Sequence, residues 1–296
     1  MKGLLISIVL FLLMYQHRSF AQADMMRLMN AANDLEDRGH LLASIDSTKK
    51  LSKLMPGSNI EVLCYNVAKM YGILNMPDSC FKYLALSFDQ DIPLKVLTTP
   101  DFYHLTSDNR WRDIEERALL VYEAQNGPLE NRELVKELLA MNLKDQAFYY
   151  EVDLIEREWE ETEYLKYAIW TAKEFINNDN QDRLNKIIET GGWPDPNKIP
   201  KEASNAAFLV AQHCADLDKQ IQFYEQYKSA NYTDSGTTRN LAYMEDRINL
   251  RKGLLQHYGT QSAVNSDGES YLPDLFDPEN LNARRESVGL EPIKNE

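Results

Sequence analysis

Two stretches of this chain, offset by about 36 residues, place small and apolar side chains at matching helical positions. In the first, Leu28, Ala31, Ala32 and Leu35 share one helix face ahead of Gly39. The run GHLLASIDSTKKLSKLMP, Gly39 to Pro56, then supplies a turn glycine, small residues inside the next helix and a closing proline. In the second, Val67, Ala68 and Tyr71 take the first-helix positions, Cys80, Leu84 and Ser87 the second-helix positions, and Pro93 closes the unit. Small side chains let two helix axes approach, but one pair cannot bury its apolar face alone, so such units stack. Two units fall short of the roughly three that a stable stack needs. Residues 99–125, where Trp111, Ile114, Ala118, Leu119 and Tyr122 recur at helical spacing, are the expected cap.

Both units resemble tetratricopeptide repeats across residues 25–93. The resemblance implies a helical stack with a protein or peptide on its repeat face, although fold alone assigns no function.

The first residues read as an address. MKGLLISIVLFLLMYQHRSFAQA has one cation, Lys2, before an apolar run from Leu4 to Met14, with small residues at Ser19, Ala21 and Ala23. A membrane-spanning helix needs about 20 apolar residues, and this run is about half that. The pattern predicts a signal peptide over 1–23, cleaved after Ala21 or Ala23, and an exported, periplasmic or secreted product with no membrane span. The chain carries 46 acidic and 32 basic residues, a net charge of −14. That balance argues against nucleic acid, whose phosphates require a basic stripe. Export permits disulfides, but Cys64, Cys80 and Cys214 make an odd count, and Cys64 and Cys80 lie too far apart along neighbouring helices to bridge. All three are expected to be buried thiols.

The break at Asn126-Gly127-Pro128 is the best domain boundary. The expected organisation is a signal peptide over 1–23, repeats with their cap over 24–125, connecting helices over 126–190 and a C-terminal domain over 191–296. In the connecting region Leu134, Leu138, Leu139 and Met141 mark one helix, and Phe148, Val152, Ile155 and Trp159 a second. A third runs from Thr162 toward Ile176, and a fourth covers Asp182–Glu189. The expected fold class is all-α, with solenoid-like repeats followed by a helical domain carrying one small β-hairpin.

From Gly191 onward, polar clusters appear that no periodicity requires: GWP (192–194), AQHCAD (211–216), LAYMEDR (241–247), QHYGTQ (256–261) and ARRESVGL (283–290). Their order, together with Asp179, Arg183 and Leu184 ahead of Gly192-Trp193-Pro194, resembles a family of bacterial proteins with a C-terminal domain of unassigned function. Cys214 stands where that family usually has alanine, and Met244 where it usually has leucine. The resemblance covers about residues 179–291 and implies no reaction.

The residues themselves support candidate roles. On a helix running from Glu202 to Leu217, His213 and Asp216 lie three apart on one face, so the carboxylate could orient the imidazole as a general base. Gln212 adds an amide that donates and accepts. Tyr243, Asp246 and Arg247 share a helix side, as an ion pair or as a guanidinium held for a substrate anion. Asp267-Gly268 between short β-compatible runs predicts the hairpin. In an extended QHYGTQ segment, Gln256, Tyr258 and Thr260 would face one way and Gln261 the other, as neutral hydrogen-bonding groups. Asp277-Pro278-Glu279 reads as a capped helix start and Gly289 as its stop, with Arg284 and Arg285 between. Trp193 completes the set.

No P-loop, dinucleotide glycine loop, HExxH or GxSxG is present. Neither a metal nor a cofactor is called for. Three readings follow. One is an exported module binding a protein, peptide or small polar ligand, with a polar site in the C-terminal domain. The second is a hydrolase- or transferase-like enzyme using His213 and Asp216 with an arginine. The third is a structural subunit whose clusters are a fold-specifying network.

Overall fold

Two left-handed stops shape the first helices. Gly39 has φ +73° and Asn75 φ +50°. At each, the stop residue's N–H bonds three residues back and the next N–H five back: Gly39 to Glu36 and His40 to Leu35, Asn75 to Gly72 and Met76 to Tyr71. This is the Schellman ending, which glycine adopts without a Cβ penalty and asparagine tolerates better than most residues. The two stops separate α1 (22–37) from α2 (Leu41–Leu54), and α3 (Ile60–Ile73) from α4 (Pro77–Ser87). The computed structural model describes residues 22–54, 60–87, 93–158, 163–265 and 270–293. The expected signal segment through Ala21, the closing Pro56, Trp159 and the Asp267-Gly268 turn lie outside those residues.

The fold is all-α with one small β-hairpin, and it divides into two units. The first comprises the residues up to Asn126 together with Ala147–Ile169. In it α2 buries Leu41, Ser44, Ile45, Thr48 and Leu51, a single helical stripe. α3 is buried on a wider arc because it meets α2, α4 and a 3₁₀ segment, Pro100–Ser107. Phe102 from that segment is fully enclosed, with Tyr65 and Trp111 edge-on or tilted against it at 5.8 and 6.2 Å. Trp111 opens α5 (Trp111–Asn126), which packs on that segment and on a second 3₁₀ segment, Lys95–Thr98. α7 (Tyr149–Glu158) also belongs to this unit, its Tyr150 hydroxyl donating to the Glu36 carbonyl.

The second unit comprises Gly127–Gln146 and Trp170–Glu296. α6 (Arg132–Asp145) is capped by Asn131, whose side chain accepts from the Leu134 amide. It packs on α9 (Lys201–Gln212), where Ala203, Ala206, Ala207 and Ala211 are fully buried and let the axes approach. α10 (Leu217–Ser229) and α11 (Ser235–Arg251) pack together and against α9. β1 (Ala263–Val264) pairs antiparallel with β2 (Ser270–Tyr271), and a 3₁₀ turn, Pro278–Asn280, leads into α12 (Leu281–Ser287).

Three local expectations change. α8 is one helix, Glu163–Gly191, rather than two. Its polar Asn177-Asn178-Asp179-Asn180 stretch stays helical because packing overrides weak propensity; Asn180 is fully buried and its amide donates to the Met141 carbonyl. The helix expected from Glu202 to Leu217 stops at Gln212 and restarts at Leu217. Asp277 does not cap the helix after it; φ there is +42°, and its carboxylate accepts from Asn280 and Arg284 instead.

All three cysteines are free and buried. Burial pushes the Cys80 thiol up to about 12 and raises those of Cys64 and Cys214 as well. Native protein should therefore leave a thiol reagent such as DTNB unreacted over minutes, with three equivalents titrating after denaturation. A Cβ at Gly72 would stand 2.3 Å from the Asp101 carbonyl oxygen, whereas one at Gly191 meets nothing. Gly72→Ala should cost about 2 kcal/mol or more by urea unfolding, and Gly191→Ala should leave stability unchanged or slightly raised.

Candidate functional site

α11 begins at Asp234, whose carboxylate accepts from the Thr237 amide, and turns Ala242, Met244 and Ile248 inward. Asp246 lies on that inner side and is fully buried. A buried carboxylate is costly unless every lone pair is met. Here the QHYGTQ segment meets them. The backbone N–H groups of His257, Tyr258 and Thr260 donate to Asp246 at 2.6, 3.0 and 3.0 Å, and the Thr260 hydroxyl adds a bond of 2.9 Å. Wrapping three amides around one carboxylate requires a sharp turn, supplied by Gly259 at φ +59°. The segment is therefore a loop, not the extended strand expected. Gln256, read as a recognition group, is fully buried and closes the loop: its Oε1 accepts from Gln261 N and its Nε2 donates to Gln261 O.

The arginines hold the same loop. Arg247 donates from Nε to Gln261 Oε1 at 2.9 Å and from Nη1 to the Gln212 carbonyl at 3.1 Å, joining three signatures. Gln261 Nε2 also reaches the Tyr243 carbonyl at 3.4 Å. Arg284 donates to the carbonyls of His257, Phe276 and Asp277. Arg285 donates to those of Tyr258, Gly259 and Glu291. Arg284 also meets the Asp277 carboxylate at 3.3 Å, and both arginines grip backbone carbonyls of the loop and its flanks. Arg251, outside every signature, does the same for the QHCAD turn through Cys214, Ala215 and the Gln220 side chain.

The expected His213–Asp216 pair does not form, because α9 ends between them. Asp216 becomes the N-cap of α10, accepting from Lys219 N. His213 turns instead to Asp145 at the end of α6, with Nδ1 2.9 and 3.0 Å from the two carboxylate oxygens. Asp145 is buried, receives Gln146 Nε2 at 2.6 Å, and its carbonyl receives the buried Lys173 ammonium, also at 2.6 Å. A carboxylate only accepts, so Nδ1 carries the proton and Nε2 presents a lone pair when the ring is neutral.

A second histidine couple went unread in the sequence. His257 Nδ1 lies 2.7 Å from Glu245 Oε1, while Glu245 Oε2 accepts from Tyr224 at 3.0 Å. Burial and the neighbouring Glu245 charge raise the Tyr224 phenol, and burial with the charges of Glu245 and Asp246 raises that of Tyr258. Glu245 carried a signal: it falls two residues after Tyr243 and directly precedes Asp246, so the pair of acids projects from adjacent faces. Asp145 carried none, being 68 residues from His213.

Trp193 lies elsewhere. It stacks on Tyr227 at 4.2 Å and 11°, and its carbonyl accepts from Tyr232. Beside it opens a cleft of about 590 Å³ whose lining includes Glu130, Glu133, Glu137 and Asp195 with the apolar Leu134 and Ile187. Lys198 and Arg183 stand at Glu130 and Glu137, 3.7 and 4.0 Å away. Among the described residues, no three His, Cys, Asp or Glu side chains are grouped to hold a metal, and no helix is long and apolar enough to cross a membrane.

The model of a family of unknown function, DUF6624, matches residues 132–296, more than half of the chain. The chain belongs to the DUF6624 family. No curated protein and no solved structure matches it. The DUF6624 region opens at the first residue of α6 and so includes Asp145 and Lys173 as well as the signatures.

In this DUF6624 protein, Asp246→Ala would strand three amides and a hydroxyl. The expected loss is about 3–5 kcal/mol by urea unfolding, with the amides of His257, Tyr258 and Thr260 losing hydrogen-exchange protection. Wild-type protection in the variant would show that the arginines alone hold the loop.

Proposed function

We propose that this chain is an exported binding protein whose C-terminal unit takes a small polar ligand or a peptide end in the cleft beside Gly192-Trp193-Pro194. One observation carries the reading. The Asp246 carboxylate, Gln256 and the Arg284–Arg285 pair are committed to the loop, while the cleft beside Trp193 is open. Its volume lies within the ordinary range for ligand pockets, roughly 300–1,000 Å³. Its lining of carboxylates over Leu134 and Ile187 suits a ligand with an apolar body and hydrogen-bond donors.

The first unit has the complementary role of contacting a protein or peptide through tetratricopeptide-like helix pairs. The matching stops at Gly39 and Asn75, at the spacing of the sequence repeat, support this. Export rests on the leading apolar run and its small-residue cleavage site.

A second reading, an enzyme with His213 as general base, draws support from the Asp145 bond, which would fix the reactive tautomer. The two readings separate experimentally. A thermal-shift panel of amino acids, short peptides, amines and sugars should contain a compound that raises the melting temperature of wild type but not of Leu134→Trp, which fills the cleft. The binding reading fails if no compound shifts wild type, or if the filled variant responds equally. Loss of the response in His213→Ala with Leu134→Trp unaffected would favour the enzyme.

A further inference from the structure

A second cavity in the C-terminal unit has the opposite character to the cleft beside Trp193. It encloses about 430 Å³ and is lined from both α9 and α11, two helices that pack together. On α9 the lining residues are Lys201, Ser204 and Asn205, whose spacings of three and four put them on one helix face. On α11 they include Ser235 and Arg239. Pro196 is the one apolar side chain among the lining residues.

The charges on this wall do not balance. Asp234 is the only acid in the lining, and it is already engaged as the cap of α11. Its Oδ1 accepts from the Thr237 amide at 2.9 Å and its Oδ2 from the Thr237 hydroxyl at 2.5 Å. Lys201 and Arg239 have no carboxylate within ion-pair distance among the described residues. In a chain with 46 acidic against 32 basic residues, paired cations are the expected case. Lys198, Arg183 and Lys219 of the same unit follow it, meeting Glu130, Asp179 and Asp182. Two cations on one cavity repel each other, and an anion between them removes that repulsion while accepting charge-assisted hydrogen bonds. The volume exceeds what an inorganic ion needs and falls in the range of small-molecule pockets, roughly 300–1,000 Å³. An apolar body would find only Pro196 to rest on. Ser204, Asn205 and Ser235 instead offer hydroxyls and an amide, which donate and accept, and their side chains have no partner among the described residues. We propose that this cavity binds a small hydroxyl-bearing organic anion, a sugar phosphate or sugar acid. Its charged group would sit between Lys201 and Arg239, with its hydroxyls on Ser204, Asn205 and Ser235. The site is separate from the Trp193 cleft and does not depend on it.

Isothermal titration calorimetry of the full chain with glucose 6-phosphate and with gluconate tests this, with glucose and inorganic phosphate as controls. At least one of the two sugar anions should bind, at least tenfold more tightly than either control and more weakly as sodium chloride rises. Which of them binds tells whether the charged group is a phosphate or a carboxylate. Lys201→Gln/Arg239→Gln should lose at least tenfold in affinity. Both positions are exposed, and an unchanged circular-dichroism melt would show that the variant folds. Lys252→Gln, exposed just past the far end of α11, should bind as wild type does, which separates a local contact from a change in net charge. Leu134→Trp in the cleft should also bind normally, so a failure of the cleft reading leaves this result untouched. Glucose or inorganic phosphate binding as tightly as the sugar anions, no binding of any probe, or an unaltered affinity in the double variant would overturn the inference. Loss of binding in Leu134→Trp with the double variant unaffected would do the same, since the ligand would then occupy the cleft.

Discussion

The C-terminal unit depends on one buried carboxylate. Asp246 must be charged-group compatible with an apolar helix interface, and it is so only because a loop eleven to fourteen residues further on supplies four donors. An unmet buried polar group costs about 1–3 kcal/mol, more when charged. A chain in which the loop is misplaced would pay several such costs at once, so the loop has one favourable conformation. Once its amides point inward, its carbonyls point out, and these are the groups that Arg284 and Arg285 collect. The arginines are thus explained by the aspartate: they satisfy the acceptors that its donors leave behind.

This sequence of causes shows what was legible and what was not. The helices could be read because apolar periodicity is local: α2, α3, α5 and α6 follow the spacing of Leu41–Leu51, Val67–Tyr71, Trp111–Leu119 and Leu134–Met141. The hairpin could be read from its turn chemistry. Pairings could not. His213 and Asp216 look adjacent only if the helix continues, and whether it does depends on Asp216 gaining a capping role worth about 1 kcal/mol. The partner that His213 takes, Asp145, belongs to a helix 68 residues earlier, and no local pattern reports a contact of that range. The continuity of α8 was hidden for the same reason, since the groups that hold Asn180 come from α6.

The signatures also divide by whether their polar atoms are used. QHYGTQ, the Asp246-Arg247 pair and the two C-terminal arginines form one connected set, tied to QHCAD through the Gln212 carbonyl. GWP is not part of it. Trp193 stacks on Tyr227, whose hydroxyl donates to Thr237 near the start of α11. Thr237 precedes Asp246 by nine residues, roughly 14 Å along the helix axis. One helix therefore organises two neighbourhoods: a saturated network toward its C-terminal end and an aromatic stack toward its start.

That division bears on function more than the identity of any one residue does. A polar group acts on a ligand only with the hydrogen-bonding capacity left after folding. Asp246, Gln256 and Arg285 are committed to the loop. His213 and His257 differ, each committing Nδ1 to a carboxylate while Nε2 gains no partner among the described residues. The same network that consumes the arginines also positions His257, by fixing its amide on Asp246 and its carbonyl on Arg284. It likewise sets the backbone that carries Leu255, Phe276 and the hairpin. Apart from those two imidazoles, the hydrogen-bonding capacity of Asp246, Gln256 and Arg285 is turned inward, onto the loop that carries them.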